Sequence, residues 1–189
     1  MNKKTLLVEL NKLFIDDISE VIVDYVIFKP KTNEELYIAV DKWCEYKKGA
    51  LKDYGYINNW DTSLITNMED LFSDKKYFND DISSWDVSNV TNMWSMFEKA
   101  SSFNQDISNW NVSNVIDMCD MFSSAFVFNQ NIGIWNVSNL EYAGRMFECA
   151  KSFNQNLDNW NVSNVDYDSD MFNGSGMKTL PVWYKNYKN

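Results

Sequence analysis

The sequence predicts an α/β repeat solenoid in which each 25-residue repeat contributes one short parallel strand and one helical or 3₁₀ turn. Five tryptophans recur at this constant spacing: Trp60, Trp85, Trp110, Trp135 and Trp160. A phenylalanine follows each tryptophan at a fixed distance: Phe72, Phe97, Phe122, Phe147 and Phe172. A constant period without insertions is typical of stacked coils that bury the same positions against their neighbours.

Residues 1–58 lack the period and are predicted to form a largely helical N-terminal capping region. Leu6–Phe14 has helical spacing, whereas Val21–Phe28 is β-branched and aromatic and indicates a possible strand. Thr-Asn-Glu-Glu at 32–35 has the spacing of a capping box, and a helix is predicted over 32–54. We expect the apolar face of this helix to cover the open end of the first repeat with Leu36, Ala39, Val40 and Trp43.

The five repeats occupy residues 59–176, and their constant positions are apolar or small. In the repeat at 85–109 these positions are Trp85, Val87, Val90, Met93, Met96, Phe97, Ala100, Phe103 and Ile107. The Met-Phe-x-x-Ala-x-x-Phe run favours a helical or 3₁₀ turn. The strand is expected either at Val87–Val90 or at 103–107, and the pattern alone does not choose between them.

Polar residues also recur, and we interpret them first as structural. An asparagine follows the second phenylalanine of a repeat, as Asn104 follows Phe103, and a serine follows the first valine, as Ser88 follows Val87. Identical amides and hydroxyls on successive coils can form ladders and satisfy backbone groups: Asn104, Asn129 and Asn154; Ser88, Ser113, Ser138 and Ser163. Residues 177–189 are predicted to be a C-terminal cap and tail, with Leu180–Tyr184 as an aromatic plug.

The composition argues against several classes of function. The net charge of −10 disfavours nonspecific binding to nucleic acid or to an anionic membrane, since both need a basic surface. No stretch is apolar enough for a signal peptide or a membrane span, so we expect a cytoplasmic or virion-associated protein and no membrane insertion. The three cysteines have no Cys-x-x-Cys spacing and are expected to be reduced thiols.

Catalytic chemistry is not indicated. The chain contains no histidine, which removes Ser-His-Asp and Cys-His nucleophile pairs and nearly all catalytic zinc sites. Acidic pairs such as Asp80 with Asp81, or Asp61 with Asp86, are interpreted as solvated turn residues because no calcium-loop spacing accompanies them. We therefore expect no enzyme activity, no cofactor and no metal.

The run Met-Phe-x-x-Ala-x-x-Phe-Asn-Gln-x-Ile-x-x-Trp-Asn-Val-Ser-Asn-Val resembles the repeat of BspA-like leucine-rich-repeat surface proteins, which are abundant in mycoplasmas and also occur in large DNA viruses. The resemblance covers residues 60–172. It implies a leucine-rich-repeat-like, right-handed coil and a role in adhesion or protein interaction. The chain differs from the bacterial members because it lacks a signal peptide and a lipobox.

Positions that vary within a constant repeat frame are candidates for binding. Trp94, Tyr142, Arg145 and Tyr167 have nearly the same repeat phase, and aromatic residues and arginine are enriched in binding hot spots. Phe126 and Ile134 are further apolar residues at positions that are otherwise polar. The tryptophans that recur every 25 residues are interpreted as a structural ladder.

We therefore expect a non-enzymatic protein-interaction scaffold that binds another protein through its lateral face. One alternative is a structural or accessory component of a viral particle, in contact with virion or capsid proteins. A second alternative is a surface adhesin, because aromatic platforms suit sugars.

Overall fold

The computed structural model describes residues 27–184. The chain there begins with two α-helices, α1 (Asn33–Glu45) and α2 (Lys47–Tyr54), and a 3₁₀ helix at Ile57–Asn59. The predicted helix at Leu6–Phe14 lies outside the described residues. So does most of the predicted strand at Val21–Phe28, and its last two residues have no regular structure.

The helix predicted over 32–54 is confirmed, with an interruption at Tyr46 that divides it into α1 and α2. Thr32 is extended and caps α1, because its hydroxyl accepts a hydrogen bond from the Glu35 N–H at 3.1 Å. The Glu35 carboxylate in turn accepts from the N–H of Lys31 at 2.7 Å. The first bond satisfies a donor that the first turn of a helix leaves unpaired, and the second satisfies the N–H of the residue before the cap. Gly55 ends α2 with a φ of 72°, a conformation that favours glycine.

The two helices cover one end of the repeat region. The face of α1 that carries Leu36, Ala39, Val40 and Trp43 is buried. The Trp43 ring meets the Trp60 ring edge-on, with 5.8 Å between the ring centroids. The Tyr37 hydroxyl donates to the backbone carbonyl of Glu69, and the Asn33 side-chain oxygen accepts from the N–H of Thr66 at 3.3 Å. The apolar burial and these polar contacts together fix α1 against the first repeat.

The repeats form a stack of five coils, numbered 1 to 5, that begin at Trp60, Trp85, Trp110, Trp135 and Trp160. The apolar positions predicted to face inward are buried in each of the first four coils, and Phe97, Phe122 and Phe147 are completely inaccessible to solvent. Successive phenylalanines stack nearly parallel, with 5.6 Å between the centroids of Phe97 and Phe122 and 5.7 Å between those of Phe122 and Phe147. Each of these three rings also stacks on a second phenylalanine of its own coil about 4 Å away. This continuous aromatic core sets the spacing between coils.

Backbone hydrogen bonds join neighbouring coils in both directions, and the larger set runs from each coil to the next one, whereas bonds such as that from the Thr91 N–H to the Thr66 carbonyl run back. Four N–H groups of each coil, at alternate residues, donate to carbonyls of the next coil. Between coils 1 and 2 the donors are Met68, Asp70, Phe72 and Asp74, and the acceptors are Asn92, Trp94, Met96 and Glu98, at 2.8–2.9 Å. The N–H groups between these donors are used within the coil, as in the bond from Leu71 to the Met68 carbonyl. The pattern recurs through coil 4, whose donors Ala143, Arg145, Phe147 and Cys149 meet coil 5.

The predicted α/β solenoid with a strand in each repeat is wrong. Residues 27–184 contain no strand, and their β pairing is confined to isolated parallel bridges that join Asn67, Asn92, Asp117, Tyr142 and Tyr167 in turn. Neither Val87–Val90 nor 103–107 is a strand, and the Met96–Phe103 run forms turns, not a helix. The leucine-rich-repeat-like coil implied by the resemblance therefore does not describe these residues.

The backbone conformation explains the difference. A parallel strand directs its N–H and C=O groups alternately to both neighbours. Here the alternation is confined to the bridge, where Thr91 donates back to Thr66; the four donors after it in each of coils 1 to 4 all point toward the following coil. Two residues of each coil also have positive φ, for example Ser95 at 52° and Lys99 at 57°. A left-handed residue at these two points interrupts any extended segment.

The predicted asparagine ladder is confirmed. The Asn104 side-chain oxygen accepts from the N–H of Asn129, and the Asn129 oxygen accepts from the N–H of Asn154, both at 2.9 Å. The predicted serine ladder is wrong, because the serine hydroxyl is not the group that links successive coils. The asparagine after each serine forms the link, because the Asn114 amide donates to the Ser88 carbonyl at 2.7 Å. Within the described residues, no hydroxyl of Ser88 or its repeats takes part in this link.

Candidate functional site

The candidate site lies on the side of the stack where the isolated β-bridges run. Bridges pair Asp117 with Tyr142 and Tyr142 with Tyr167, which places the two tyrosines on adjacent coils. Both tyrosines are exposed, as is Trp94. We call Trp94, Asp120, Tyr142, Arg145 and Tyr167 the lateral cluster. It spans coils 2 to 5 and combines three exposed aromatic rings with a guanidinium group.

Asp120 joins two other members of the cluster. Its residue surface is only 7% exposed, and its carboxylate oxygen Oδ2 accepts a hydrogen bond from Arg145 Nη2 at 2.9 Å. The same oxygen lies 3.4 Å from the indole nitrogen of Trp94. Because a nearly buried carboxylate requires a charged partner, Arg145 is held in place, while half of its side-chain surface stays open to solvent. Trp94 and Arg145 are thus oriented before any partner arrives.

Tyr167 owes its position to a glycine in the preceding coil. A Cβ atom added to Gly144 would lie 2.0 Å from Tyr167 Cε1, so the tyrosine ring lies directly over the glycine. In coils 2 and 3 the same repeat position holds Trp94 and Cys119. Gly144 therefore leaves the space that Tyr167 fills beside Arg145.

Two pKa shifts within this region define its chemistry. The Asp120 carboxylate, through its hydrogen bond and charge, raises the pKa of Arg145, which stays a cation under all ordinary conditions. Burial, followed by the negative charge of Asp117, raises the pKa of the Cys119 thiol to about 12. A thiol with such a pKa is not a nucleophile at neutral pH. In this region Arg145 is thus a fixed cation and Cys119 a protonated thiol.

The structure separates the sequence-predicted residues into two groups. It brings Trp94, Tyr142, Arg145 and Tyr167 to one side of the stack. Phe126 and Ile134 are also exposed, but no hydrogen bond or ring contact within residues 27–184 joins them to the lateral cluster. Sequence reasoning missed the linking role of Asp120. The signal was available, because Asp120 and Arg145 have opposite charges at the same position of adjacent repeats.

The tryptophans that recur every 25 residues are buried, with at most 4% of their surface exposed. From coil 2 onward each indole N–H donates to a carbonyl 28 residues earlier, as Trp110 does to Ile82 at 3.2 Å and Trp135 to Ile107 at 3.1 Å. Trp60 donates to Gly55. These rings lie in the core and are not available to a partner.

Residues 27–184 show neither a membrane-spanning helix nor a cluster of metal-ligating side chains. No helix there is both long and apolar enough to cross a lipid bilayer. The same residues contain no group of three or more potential metal-ligating side chains placed to hold an ion. The cysteines at 44, 119 and 149 are free thiols.

Comparison with known proteins gives one family. Residues 45–141 and 85–183 both match the family described as Mycoplasma protein of unknown function, DUF285. The two overlapping matches cover about three quarters of the 189-residue chain. No curated protein and no solved structure matches it. The chain belongs to the DUF285 family of mycoplasma proteins.

Proposed function

We propose that this protein is a non-enzymatic interaction scaffold that binds another protein through the lateral cluster. The observation that supports the proposal is the buried carboxylate of Asp120, which orients Arg145 and Trp94 on an exposed surface beside Tyr142 and Tyr167. Tryptophan, tyrosine and arginine are the residue types most enriched in binding hot spots. Side chains that are already ordered lose less conformational entropy on binding, which favours affinity.

The free hydrogen-bonding capacity of Arg145 indicates what the partner presents. A guanidinium has five N–H donors, and Asp120 takes one of them through Nη2. A carboxylate or a carbonyl of the partner can accept from the donors that face solvent. The three aromatic rings of the lateral cluster offer apolar surface, and each has few rotatable bonds. We infer a partner surface with an acidic or carbonyl-rich centre and an apolar margin.

We also propose a relationship to BspA-like surface proteins, which rests on the repeat sequence and on the DUF285 match. The strand geometry of leucine-rich repeats is not part of it. The shared feature is a regular stack that presents variable side chains on one face.

The test is affinity capture with quantitative mass spectrometry on the full chain and three variants. Trp94→Ala with Tyr142→Ala removes two rings of the lateral cluster. Gly144→Ala displaces the Tyr167 ring by a steric clash and leaves the core intact. Tyr77→Ala is the matched control, because Tyr77 is 93% exposed and lies outside the cluster.

A direct partner should be captured by the wild type and by Tyr77→Ala and lost from the other two variants. With the purified partner, Trp94→Ala should raise the dissociation constant by about 30-fold, as expected for the loss of a hot spot. Melting temperatures should stay close to the wild-type value. An identical set of captured proteins for all four chains would reject the lateral cluster as a binding surface.

A further inference from the structure

The last coil has a row of backbone N–H groups that the coils before it use for pairing. In coils 1 to 4 the equivalent N–H groups all donate to the following coil. In coil 5 they belong to Asp168, Asp170, Phe172 and Gly174. Within residues 27–184 none of these four N–H groups has a hydrogen-bond acceptor. We call this row the donor edge.

The donor edge keeps the backbone geometry of the paired coils. Asp170 has a φ of 56° and Gly174 a φ of 66°, which match the values of Ser95 and Lys99 in coil 2. The turn bonds within the coil are also present, as in the bond from the Met171 N–H to the Asp168 carbonyl. The four N–H groups are therefore oriented as they are where a coil follows. They lie along a cleft of about 520 Å³.

An unpaired row of backbone donors is a template for another segment of chain. Strand-addition complexes use the same principle, because main-chain hydrogen bonds supply affinity and side chains supply selectivity. Here the template consists of four donors and one acceptor, because the Asp166 carbonyl is equivalent to the Glu141 carbonyl, which accepts from the N–H groups of Asp166 and Tyr167 in the next coil. The segment that completes it must supply a carbonyl at every second residue, as Asn92, Trp94 and Met96 do for coil 1.

The charge of the cleft restricts which segment can bind. Asp166, Asp168 and Asp170 all line it, and no salt bridge in the described part of the chain involves any of them. Asp168 occupies the position that is a buried methionine in the first three coils, such as Met93 in coil 2. Lys178 also lines the cleft, so its charged side chains are three carboxylates and one ammonium group. This excess of negative charge favours a segment with lysine or arginine side chains.

The opposite end of the stack cannot supply this segment. A second copy of the chain would have to present the carbonyls of coil 1. The Glu69 carbonyl already accepts from the Tyr37 hydroxyl, and α1 packs over that end. Head-to-tail stacking of two copies is thus blocked by the helices.

We propose that the donor edge of coil 5 binds an extended, basic segment of a partner protein. Alternate carbonyls of the segment accept from the N–H groups of Asp168, Asp170, Phe172 and Gly174. Its lysine or arginine side chains pair with the carboxylates of the cleft. This surface is separate from the lateral cluster, so either proposal can fail without the other.

The probe is a ten-residue peptide with the sequence of residues 91–100 carrying Asn92→Lys, Trp94→Lys and Glu98→Lys. A companion peptide with glutamate at the same three positions is the control. Amide hydrogen exchange of the full chain, measured by NMR, gives the readout. The lysine peptide should slow exchange of the four N–H groups of the donor edge by at least about tenfold, and the glutamate peptide should not.

Two protein variants complete the test. Replacing Asp166, Asp168 and Asp170 by asparagine should weaken lysine-peptide binding by about tenfold, since three exposed charge pairs are lost. Trp94→Ala should bind the peptide as the wild type does.

The proposal is overturned if the lysine peptide does not bind, or if it binds without slowing those four amides. Equal binding of both peptides would also overturn it. The four amides could also be protected from exchange in the free chain and lose this protection when residues 185–189 are removed. That result would overturn the proposal as well, because it would show that the chain's own tail is the occupant.

Discussion

Replacing Trp110 by phenylalanine separates the structural tryptophans from the exposed one. Trp110 is 4% exposed, and its indole N–H donates to the Ile82 carbonyl at 3.2 Å. Phenylalanine keeps an aromatic ring in the stack but removes this donor and part of the ring volume. The matched variant is Trp94→Phe, since Trp94 is 40% exposed and its indole N–H lies 3.4 Å from Asp120.

The expected loss for Trp110→Phe has two parts. The hydrogen bond contributes roughly 1 kcal/mol, and no more, because the Ile82 carbonyl keeps a second donor in the Trp85 N–H at 3.1 Å. The smaller ring leaves a void that costs roughly 1 kcal/mol. A loss of about 2 kcal/mol lowers the melting temperature of a chain of this size by about 4–8 °C. Trp94→Phe should stay within about 0.5 kcal/mol of wild type.

Differential scanning calorimetry gives the melting temperatures, and urea unfolding gives the free energies. The two variants should differ clearly in both measurements. A melting temperature of Trp110→Phe within about 1 °C of the wild type would contradict a structural role for the buried indole. An equal loss of stability in Trp94→Phe would contradict the distinction between the two tryptophans, because the exposed indole would then support the core.

Three further predictions concern Tyr37 in the helical cap, the ion pair of Asp61 with Lys29, and the coil backbone at Lys99. Burial, then the charges of Glu69 and Asp70, raise the pKa of Tyr37 to about 12, so its contribution to stability is present below pH 10 and is lost between pH 10 and 12. In Tyr37→Phe the melting temperature should therefore depend less on pH between pH 10 and 12. An unchanged dependence on pH would contradict the role given to the Tyr37 hydroxyl. Hydrogen bonds from Lys29 and Ser63 lower the pKa of Asp61 to about 2, so its contribution is present above pH 4 and is lost as the pH falls toward 2. Asp61→Asn should reduce the acid sensitivity of the melting temperature, and an equally steep profile would count against the ion pair. Lys99→Gly should raise the unfolding free energy by about 1 kcal/mol in urea titration because φ is 57° there, whereas a loss of stability would show that the backbone is not strained.

The sequence predicted the burial pattern of the repeats because burial depends on residue type at a fixed period. Trp85, Val90 and Phe97 recur as apolar residues, and stacked coils bury equivalent positions together. The helix over 32–54 was predictable for a similar reason, since the capping spacing and the apolar face are both local signals. Burial patterns and helix caps are properties that a single chain segment displays by itself.

The backbone path between the buried positions was not predictable in the same way. Left-handed residues are usually signalled by glycine, but here these positions hold residues such as Ser95, Lys99 and Arg145. Without that signal, a valine-rich segment in a repeat looks like a short strand. The link between Asp120 and Arg145 was missed for a related reason, because it joins adjacent coils and is visible only when the two repeats are compared position by position.

The direction of the inter-coil hydrogen bonds gives the stack two chemically different ends. Because coils 1 to 4 donate four alternate N–H groups to the next coil, carbonyls of coil 1 lack donors from a preceding coil, and the four N–H groups of coil 5 lack acceptors within residues 27–184. The acceptor end meets α1, whose Tyr37 hydroxyl donates to Glu69. Within residues 27–184 the donor end meets the short segment around Leu180–Tyr184. The Trp183 indole of this segment donates to the Leu157 carbonyl and so continues the tryptophan ladder, and the segment leaves the Asp168–Gly174 edge open. A parallel sheet would expose donors and acceptors in equal number at both edges, whereas the end of coil 5 exposes four N–H groups beside the single carbonyl of Asp166. The coil conformation that replaced the predicted strand therefore also makes the open end favour a segment that presents carbonyl groups.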